Sequence, residues 1–345
     1  MSDILDTELD IVSTESTESG EPELIEVIQL PAGEVDPRIK LLSHSSRELV
    51  HKCPRKFQLY RLNSRQAEGQ DIIKGIEKGV TFSYGTAVGN GIQSAIAGNT
   101  EEQVIIDTFL GWDSADLLEE NKRQNKSFWK AMFAVQKFIQ LRDHGLLKDY
   151  ELVYYNGKPA VEMSFNIILP NGFYYRGFVD VVLRHKETGE IMVLELKTSS
   201  GTANPAMFKN SGQALGYSVV LDIIFPEMSA YTVLYLVYET KSYDFKQLAF
   251  TKSLLQRALW LQELLIDTKV ISMYEEYETY PQHGSACFDF FTDCEFLGLC
   301  TMDTARLTKP YDTADRDRIE KELEEYDFTI SFDDLVQAQI NKAEL

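Results

Sequence analysis

The stretch that decides the fold is GFVDVVLRHKETGEIMVLELKTSS, residues 177–200. Two runs rich in aliphatic and β-branched residues flank the polar segment HKETG, a pattern typical of two strands joined by a turn. Three charged residues, Asp180, Glu195 and Lys197, interrupt these otherwise apolar runs. Because burying unpaired charge costs several kcal/mol, their presence here indicates a functional site.

The register of this hairpin decides whether the two carboxylates meet. Glu195 and Lys197 share one face, since successive side chains of a strand point to opposite faces. If the hairpin is symmetric about residues 187–188, Asp180 lies opposite Glu195 with their Cβ atoms about 4.5–5.5 Å apart. A one-residue bulge at Gly189 would shift the register and separate them. The sequence alone leaves both registers open.

Two carboxylates this close repel, and one becomes protonated unless a cation lies between them. A divalent ion such as Mg²⁺ or Mn²⁺ takes oxygen ligands and keeps positions for water and phosphate oxygens. The pattern therefore favours phosphodiester hydrolysis, with Asp180 and Glu195 as metal ligands and Lys197 orienting water or neutralising developing charge. A buried structural pair between Lys197 and one carboxylate is the alternative, since such pairs also perturb titration.

Asp180 followed by ELK at 195–197 resembles the PD-(D/E)XK nuclease core, and Gln213 and Tyr217 downstream resemble its RecB-like branch. The i, i+4 spacing puts Gln213 and Tyr217 on one helical face. The resemblance implies that they contact DNA or steady the catalytic lysine. It also implies an α/β fold with a restriction-endonuclease-like core, in which helices flank a mixed central sheet. The implied activity is a Mg²⁺- or Mn²⁺-dependent deoxyribonuclease, an exonuclease of recombination, repair or phage DNA metabolism.

One feature of the RecB-like pattern is absent from this sequence. That branch carries a metal-ligating His four residues after a Gly, and in the matching segment YGTAVGNGIQ, residues 84–93, Gly89 occupies the His position. Water, a backbone carbonyl, Gln93 or Glu162 are the candidate replacements. The loss leaves a second function open, a catalytically weak or inactive DNA-binding or assembly subunit that keeps the nuclease fold.

The sequence has four cysteines: Cys53 in CPRKF, and Cys287, Cys294 and Cys300 in SACFDFFTDCEFLGLC. An intracellular chain disfavours disulfides, and four thiolates suit zinc or an iron–sulfur cluster. One N-terminal and three C-terminal cysteines resemble the iron–sulfur staple of AddB-type helicase-nucleases and CRISPR-associated RecB-like exonucleases. The resemblance implies a [4Fe–4S] cluster joining the two ends of the domain. Zn²⁺ and four separate buried thiols remain the alternatives.

The net charge of −20 argues against a nucleic-acid partner, but the acidic residues are unevenly placed. Residues 1–40 hold 11 acidic and 2 basic side chains, and residues 311–345 hold 11 and 4. The middle of the chain is close to neutral, so a local basic channel for DNA with a single-stranded end is compatible with the composition. Cationic side chains proposed as DNA contacts, or alternatively as a solvated surface, are Arg47, Lys52, Arg55, Lys56 and Lys209.

The predicted organisation has three parts. Residues 1–42 form a disordered acidic tail, in which the apolar patch 24–30 docks on a partner or on the body, or forms a loosely held strand. Residues 43–310 form the nuclease domain, with a helical part at 43–149, a catalytic core at 150–275 and the cysteine cluster at 280–302 together with Cys53. Residues 311–345 form an acidic helical tail. Without an apolar run of about 18 residues, we expect no membrane contact and a cytoplasmic location, in the host cell if the protein is viral, with a helicase or recombination protein as possible partner.

The hydrophobic pattern predicts the main elements of the domain. A helix over 43–62 is interrupted near Pro54. Further helices are expected at about 84–98, 101–111, 114–143, 205–224 and 252–271. Strands are expected in 151–157, 160–169, 173–184 and 190–197, followed by a strand pair at 230–239 and 245–251.

Overall fold

A computed structural model of the chain describes residues 26–31, 33–62, 79–112, 117–228, 230–289, 292–301 and 307–344. Most of the predicted disordered tail, residues 1–25, lies outside these ranges. In the described part of the apolar patch, Val27 forms an isolated β-bridge with Asp312, and the Ile28 N–H donates to the Tyr311 carbonyl at 2.8 Å. This part of the patch therefore docks on the folded body.

Residues 33–42, which composition assigns to the tail, are folded. Four of their aliphatic side chains, Val35, Ile39, Leu41 and Leu42, are buried. The Asp36 side chain caps a short helix that begins with Pro37 by accepting from the Arg38 N–H. These residues belong to the domain because their aliphatic side chains complete its core.

The helices, labelled in chain order, are α1 (Pro37–Lys40), α2 (His44–Lys52), α3 (Pro54–Leu62), α4 (Val80–Ile96), α5 (Glu101–Leu110), α6 (Phe128–Asp143), α7 (Pro205–Lys209), α8 (Gly212–Ile224), α9 (Leu254–Glu276), α10 (Thr313–Glu324) and α11 (Phe332–Ala343). Local sequence sets several of their starts. Ser43 begins α2 and Ser253 begins α9 through capping boxes in which the serine and the N3 side chain bond each other's backbone N–H. The break predicted near Pro54 is confirmed, because α2 ends at Lys52 and α3 starts at Pro54.

The strands are β1 (Leu41–Leu42), β2 (Glu120–Asn121), β3 (Lys126–Ser127), β4 (Tyr150–Leu152), β5 (Tyr154–Tyr155), β6 (Lys158–Pro159), β7 (Val161–Ile168), β8 (Tyr174–His185), β9 (Ile191–Ser199), β10 (Tyr231–Glu239), β11 (Asp244–Lys252), β12 (Phe288–Asp289), β13 (Thr292–Asp293) and β14 (Phe328–Ser331). The central sheet has the order β11-β10-β9-β8-β7-β14, and β1 and β4 add to β8. The pairs β9–β10, β7–β14 and β1–β8 are parallel, and the other pairs of this sheet are antiparallel.

Helical layers cover both faces of this sheet. Val193 and Leu194, neighbours on β9, are fully buried in different hydrophobic cores. The core around Val193 contains apolar residues of α2, α3, α8, α9 and α11, and the core around Leu194 contains residues of α4, α5 and α6. A mixed sheet flanked by helices confirms the predicted α/β fold class.

The helix predicted over 114–143 is wrong for residues 117–127, and residues 114–116 lie outside the described ranges. Residues 120–127 form a small antiparallel hairpin of β2 and β3. Helix α6 starts only at Phe128, where Ser127 caps it by accepting from the Lys130 N–H. The helix prediction failed here because the polar sequence ENKRQNK has no apolar face to bury, so local turn formation decides its structure.

The segment beyond residue 311, predicted as a helical tail, contributes to the core. Its strand β14 pairs with the edge of β7, and α11 packs on α8 and α9. Asp222 of α8 is buried and lies 2.9 Å from both Arg257 of α9 and Lys342 of α11, and the Gln339 amide donates to it as well. This buried ionic cluster ties the C-terminal helix to the central layers.

Gly91 marks the closest approach of α4 to its neighbours α5 and α6. A Cβ at this position would lie 2.6 Å from Cγ2 of Val135 and would also overlap Thr108. We expect Gly91→Ala to destabilise the fold by about 1–3 kcal/mol, as overpacked cores do. Thermal denaturation followed by circular dichroism measures the effect.

Gly89 on the same helix provides the matched control, because a Cβ there meets no atom within 4 Å. Gly89→Ala is expected to stabilise the helix by about 0.5–1 kcal/mol through the reduced entropy of the unfolded chain. If both variants melt at the wild-type temperature, the close packing at Gly91 is contradicted.

Candidate active site

The hairpin of β8 and β9 has the register that brings its carboxylates together. Val181 pairs with Leu194, Val182 with Val193, Leu183 with Met192 and Arg184 with Ile191. The turn is closed by the His185 N–H donating to the Glu190 carbonyl, and Gly189 adopts a left-handed φ of +74°. This is the symmetric register predicted from sequence, and the alternative with a bulge at Gly189 is excluded. The ladder ends at Val181 and Leu194, so Asp180 and Glu195 occupy the next position.

A third carboxylate lies in the same row. On the other side of β8, Val161 pairs with Val181 and Met163 with Val179, which places Glu162 opposite Asp180. Glu162 leaves the ladder with a left-handed φ of +49°, a conformation that costs energy for a residue with a side chain. Glu162 was named from sequence as a candidate replacement for the missing His but was not placed opposite Asp180. The PNG turn at 170–172, which fixes the register of β7 on β8, is the signal that places it opposite Asp180.

The β8 and β9 carboxylates have different environments. Asp180 accepts a hydrogen bond at 2.9 Å from the Leu196 N–H, where the regular ladder has ended. Glu195 is only 1% exposed, and apart from Lys197 no hydrogen-bond donor reaches its carboxylate oxygens. The Lys197 ammonium lies 2.6 Å from Glu195 Oε1. The Glu195 carboxyl group thus has coordination capacity left over.

Burial acts on all three acids, and repulsion from Asp180 acts on Glu195 and Glu162. The pKa of Glu195 is raised to about 8, by burial first and then by Asp180, while Lys197 lowers it. Burial also raises the pKa of Asp180, against Lys197 and the Leu196 N–H, which lower it. The pKa of Glu162 is raised to about 7 by burial and by Asp180, while its hydrogen bond from Gln93 lowers it. A cation at this row would relieve the repulsion.

The predicted helix pair Gln213 and Tyr217 reaches Lys197. The Lys197 ammonium donates to Gln213 Oε1 at 2.9 Å, and the Gln213 amide donates to the Tyr217 hydroxyl at 2.5 Å. Both residues lie on α8, which follows β9 and the short helix α7, and Tyr217 is buried. The two polar residues form a chain of hydrogen bonds that fixes the lysine head group, whose side chain is 37% exposed.

A cavity of about 660 Å³ opens over this row, between the sheet and α4. Its floor includes Glu162, Asp180 and Lys197, and Gly89 is among the α4 residues on its wall. The open space beside Gly89 lies where the RecB-like pattern has its His. Gln93, one turn further along α4, donates from its amide to Glu162. Gln93 and Glu162, the two candidate replacements named from sequence, are therefore in contact with each other.

The sequence of residues 41–301 matches the family described as the PD-(D/E)XK nuclease superfamily. The chain belongs to this superfamily. No curated protein matches the sequence significantly. One solved structure, described as "Crystal structure of SSO0001", aligns with 65% of this chain and 86% of its own at 11% identity and a TM-score of 0.28, a similarity too low to indicate a shared site.

Proteins of the PD-(D/E)XK superfamily are usually metal-dependent nucleases, and the acidic row fits that chemistry in part. The Glu195 carboxylate, whose nearest cation is Lys197, and the adjacent Asp180 supply two hard ligands. Within the described ranges, no group of three or more His, Cys, Asp or Glu side chains is arranged to hold a metal ion. Mg²⁺ is typically bound by one or two carboxylates, with water and substrate phosphate completing its shell, so two ligands suffice for it.

Two of the predicted DNA contacts of this PD-(D/E)XK chain are buried inside the protein. Arg47 is 6% exposed, lies 2.5 Å from the Asp267 carboxylate and stacks over Trp260. Arg55 is equally buried and donates to Gln58 at 2.6 Å. A guanidinium held in this way does not reach a phosphate, so the prediction is corrected for these two residues.

The remaining three predicted contacts lie nearer the surface. Lys52 and Lys209 are exposed, and the half-buried Lys56 pairs with Glu295 at 2.9 Å. Because all three side chains reach solvent, Lys52, Lys56 and Lys209 stay as predicted DNA contacts.

Among the described residues no helix is long and apolar enough to cross a membrane.

The segment around Cys53 lies against residues 281–300 from the other end of the domain. The Arg55 N–H donates to the Pro281 carbonyl at 3.0 Å, and the Arg55 guanidinium donates to the Cys300 carbonyl at 3.4 Å. These contacts bring the first cysteine into the neighbourhood of the last three, although they are separated by more than 230 residues in the sequence.

None of the four thiols is in a disulfide, and Cys53 is buried whereas Cys287, Cys294 and Cys300 are partly exposed. Burial raises the pKa of the Cys300 thiol; Arg55 lowers it, and the nearby thiols of Cys53 and Cys287 raise it. Burial also raises the pKa of Cys294, with a smaller contribution from Cys53. Four thiols are the donor set of an iron–sulfur cluster or a zinc ion, but among the described residues these thiols are not arranged as a group that could hold a metal ion.

Proposed function

We propose that this chain is a Mg²⁺- or Mn²⁺-dependent deoxyribonuclease that acts as an exonuclease on DNA with a single-stranded end. The observation that carries the proposal is that Asp180 and Lys197 line an open cavity, with the buried carboxylate of Glu195 2.6 Å from the Lys197 ammonium. A purely structural ion pair would not need its lysine to line a cavity. Recombination, repair or phage DNA metabolism, with a helicase or recombination protein as partner, is the setting we propose for it.

Asp180 and Glu195 would hold the metal ion, which when bound polarises a phosphodiester and makes a water molecule more nucleophilic. Lys197 would orient that water or neutralise charge developing on the phosphate. Gln213 positions the lysine through its 2.9 Å hydrogen bond, and Tyr217 holds Gln213. Since Glu195 is buried, charge interactions at the floor of the cavity are stronger than in open water.

We also propose that Cys53, Cys287, Cys294 and Cys300 bind a [4Fe–4S] cluster. Support comes from the convergence of the segments around Cys53 and residues 281–300 and from the mutual influence of their thiols. A cluster bound there would link the helical part to the segment after α9. A zinc ion is the alternative occupant, and the experiment that separates the two is given in the Discussion.

The decisive assay for the nuclease proposal incubates end-labelled single-stranded, blunt and overhanging DNA with Mg²⁺ or Mn²⁺. We expect wild-type protein to release short products from ends, and Asp180→Asn to lose this cleavage by roughly 10²–10³-fold. Asp149→Asn, which alters an exposed carboxylate outside the cavity, is the matched control and should cleave normally.

Three other outcomes have defined meanings. Internal fragments of circular DNA would replace the exonuclease assignment by an endonuclease. DNA binding without cleavage of any substrate would favour a DNA-binding or assembly subunit that keeps the nuclease fold, a role with which Gly89 in the His position is compatible. Cleavage that persists in Asp180→Asn would place the active site elsewhere.

A further inference from the structure

Helices α5 and α6 present a continuous apolar surface to solvent. Its members are aliphatic or aromatic side chains that are each 46–69% exposed: Ile105, Ile106, Phe109, Leu110, Trp129 and Phe133. We call this set the α5–α6 apolar face. On α5 only Val104 and Thr108 are buried, so most of the helix's large apolar side chains point away from the core, the reverse of the usual pattern for a surface helix.

Ring contacts connect the two helices across this face. The rings of Phe109 and Phe128 are 5.9 Å apart between centroids, and those of Phe128 and Trp129 are 5.3 Å apart. Phe133 follows Trp129 by one helical turn and packs edge-on against Tyr243, itself 42% exposed, at 5.9 Å. The apolar side chains therefore form one patch rather than scattered exposed residues.

The size of the patch exceeds what a monomer usually exposes. A large aromatic side chain carries 150–250 Å² of surface. The six side chains of the α5–α6 apolar face, each about half exposed, therefore present roughly 600–700 Å² together. The largest apolar patch of a typical monomer is about 300–600 Å². A symmetric interface that uses the patch from two copies would bury about 1,200–1,400 Å², within the 1,200–2,000 Å² of stable protein complexes.

The patch also lies away from the acidic row. Helix α4 contributes Gly85, Gly89 and Gln93 to the cavity, whereas Gly91 on its opposite side packs against Thr108 of α5 and Val135 of α6. The cavity and the α5–α6 apolar face thus lie on opposite sides of α4. A molecule seated on this face leaves the cavity open.

We propose that the α5–α6 apolar face binds a second copy of this chain, which gives a two-fold symmetric dimer with two independent cavities. A second copy is the partner that the area favours, because an apolar patch of this size, paired with the same patch of another copy, reaches the area of a stable dimer without any contribution from another surface. The proposal is independent of the nuclease function, since it concerns residues that do not line the cavity.

Sedimentation velocity of the full chain over a range of micromolar concentrations tests the proposal. We expect wild-type protein to sediment as a dimer. Phe109→Glu and Ile106→Glu are expected to weaken dimerisation at least roughly 100-fold, because a symmetric interface carries each buried charge twice. Leu255→Glu, at a 68% exposed leucine on α9, is the matched control and should remain dimeric.

Circular dichroism confirms that each variant is folded before its mass is interpreted, and using two separate face variants protects the test against one misfolded protein. Wild-type protein that is monomeric at the highest concentration would overturn the proposal. It would also be overturned if the two face variants dimerise as strongly as the wild type, since the contact would then lie elsewhere. Nuclease activity of monomeric Phe109→Glu should equal that of wild type, so a failure of dimerisation does not affect the test of the nuclease function.

Discussion

Lys197→Ala is expected to lower DNA cleavage by roughly 10²–10³-fold while leaving metal binding intact. The loss follows because the ammonium, held by Gln213 at 2.9 Å, is the cation placed to stabilise charge in the transition state, and removal of one such group typically costs this much. Single-turnover cleavage of labelled DNA measures the rate. The matched control is Lys321→Ala, at a 78% exposed lysine on α10, which removes the same charge from outside the cavity.

Glu195→Gln separates catalysis from metal binding when it is compared with Lys197→Ala. Saturating Mn²⁺ at about 100 times its dissociation constant should stabilise a protein that binds it only when folded by about 2.7 kcal/mol. We expect this stabilisation to raise the melting temperature of wild type and of Lys197→Ala. The melting temperature of Glu195→Gln should not rise with Mn²⁺. An equal Mn²⁺ effect in all three proteins would show that Glu195 is not a metal ligand.

Cys294→Ala is expected to abolish the cofactor in the cysteine region. Wild-type protein purified without oxygen should be brown, with broad absorption near ~400 nm from iron–thiolate bonds, and should contain iron and sulfide. The variant should be colourless and iron-free, because a cluster with three of its four thiolates rarely survives purification. Ser285→Ala, a nearby exposed residue, should retain both colour and iron. A colourless wild-type protein with one zinc per chain would replace the iron–sulfur assignment by zinc.

The local part of the site is the part that the sequence predicts best. Asp180 and Glu195 lie in two strands joined by a short turn, so the two-residue period of strands and the turn length reduce the choice to two registers, of which the symmetric one places them opposite each other. Gln213 and Tyr217 follow within one helix, where the 3.6-residue period predicts a shared face. Glu162 was harder to place, because its left-handed backbone interrupts the strand pattern that register arguments use.

Contacts between distant segments account for most of what the sequence did not predict. Arg47 looks like a surface cation in sequence, and only the fold shows that Asp267, 220 residues later, buries it. The parallel pairing of β14 with β7 similarly joins residues far apart in the chain, and no turn between them reveals it. The helix prediction for residues 120–127 failed for a different reason, because polar segments of this length have little hydrophobic periodicity from which to predict structure.

The position of β14 has a consequence for the order in which this protein can be completed during synthesis. Strand β7 carries the backbone of Ser164 and its neighbours at the sheet edge next to the acidic row, and β14 is the strand that pairs with that edge. Residues 328–331 emerge from the ribosome long after β7, β8 and β9. A nascent or truncated chain therefore exposes the unpaired edge of β7. Such edges on neighbouring nascent chains can pair with one another and aggregate, whereas in the full-length protein β14 covers the edge.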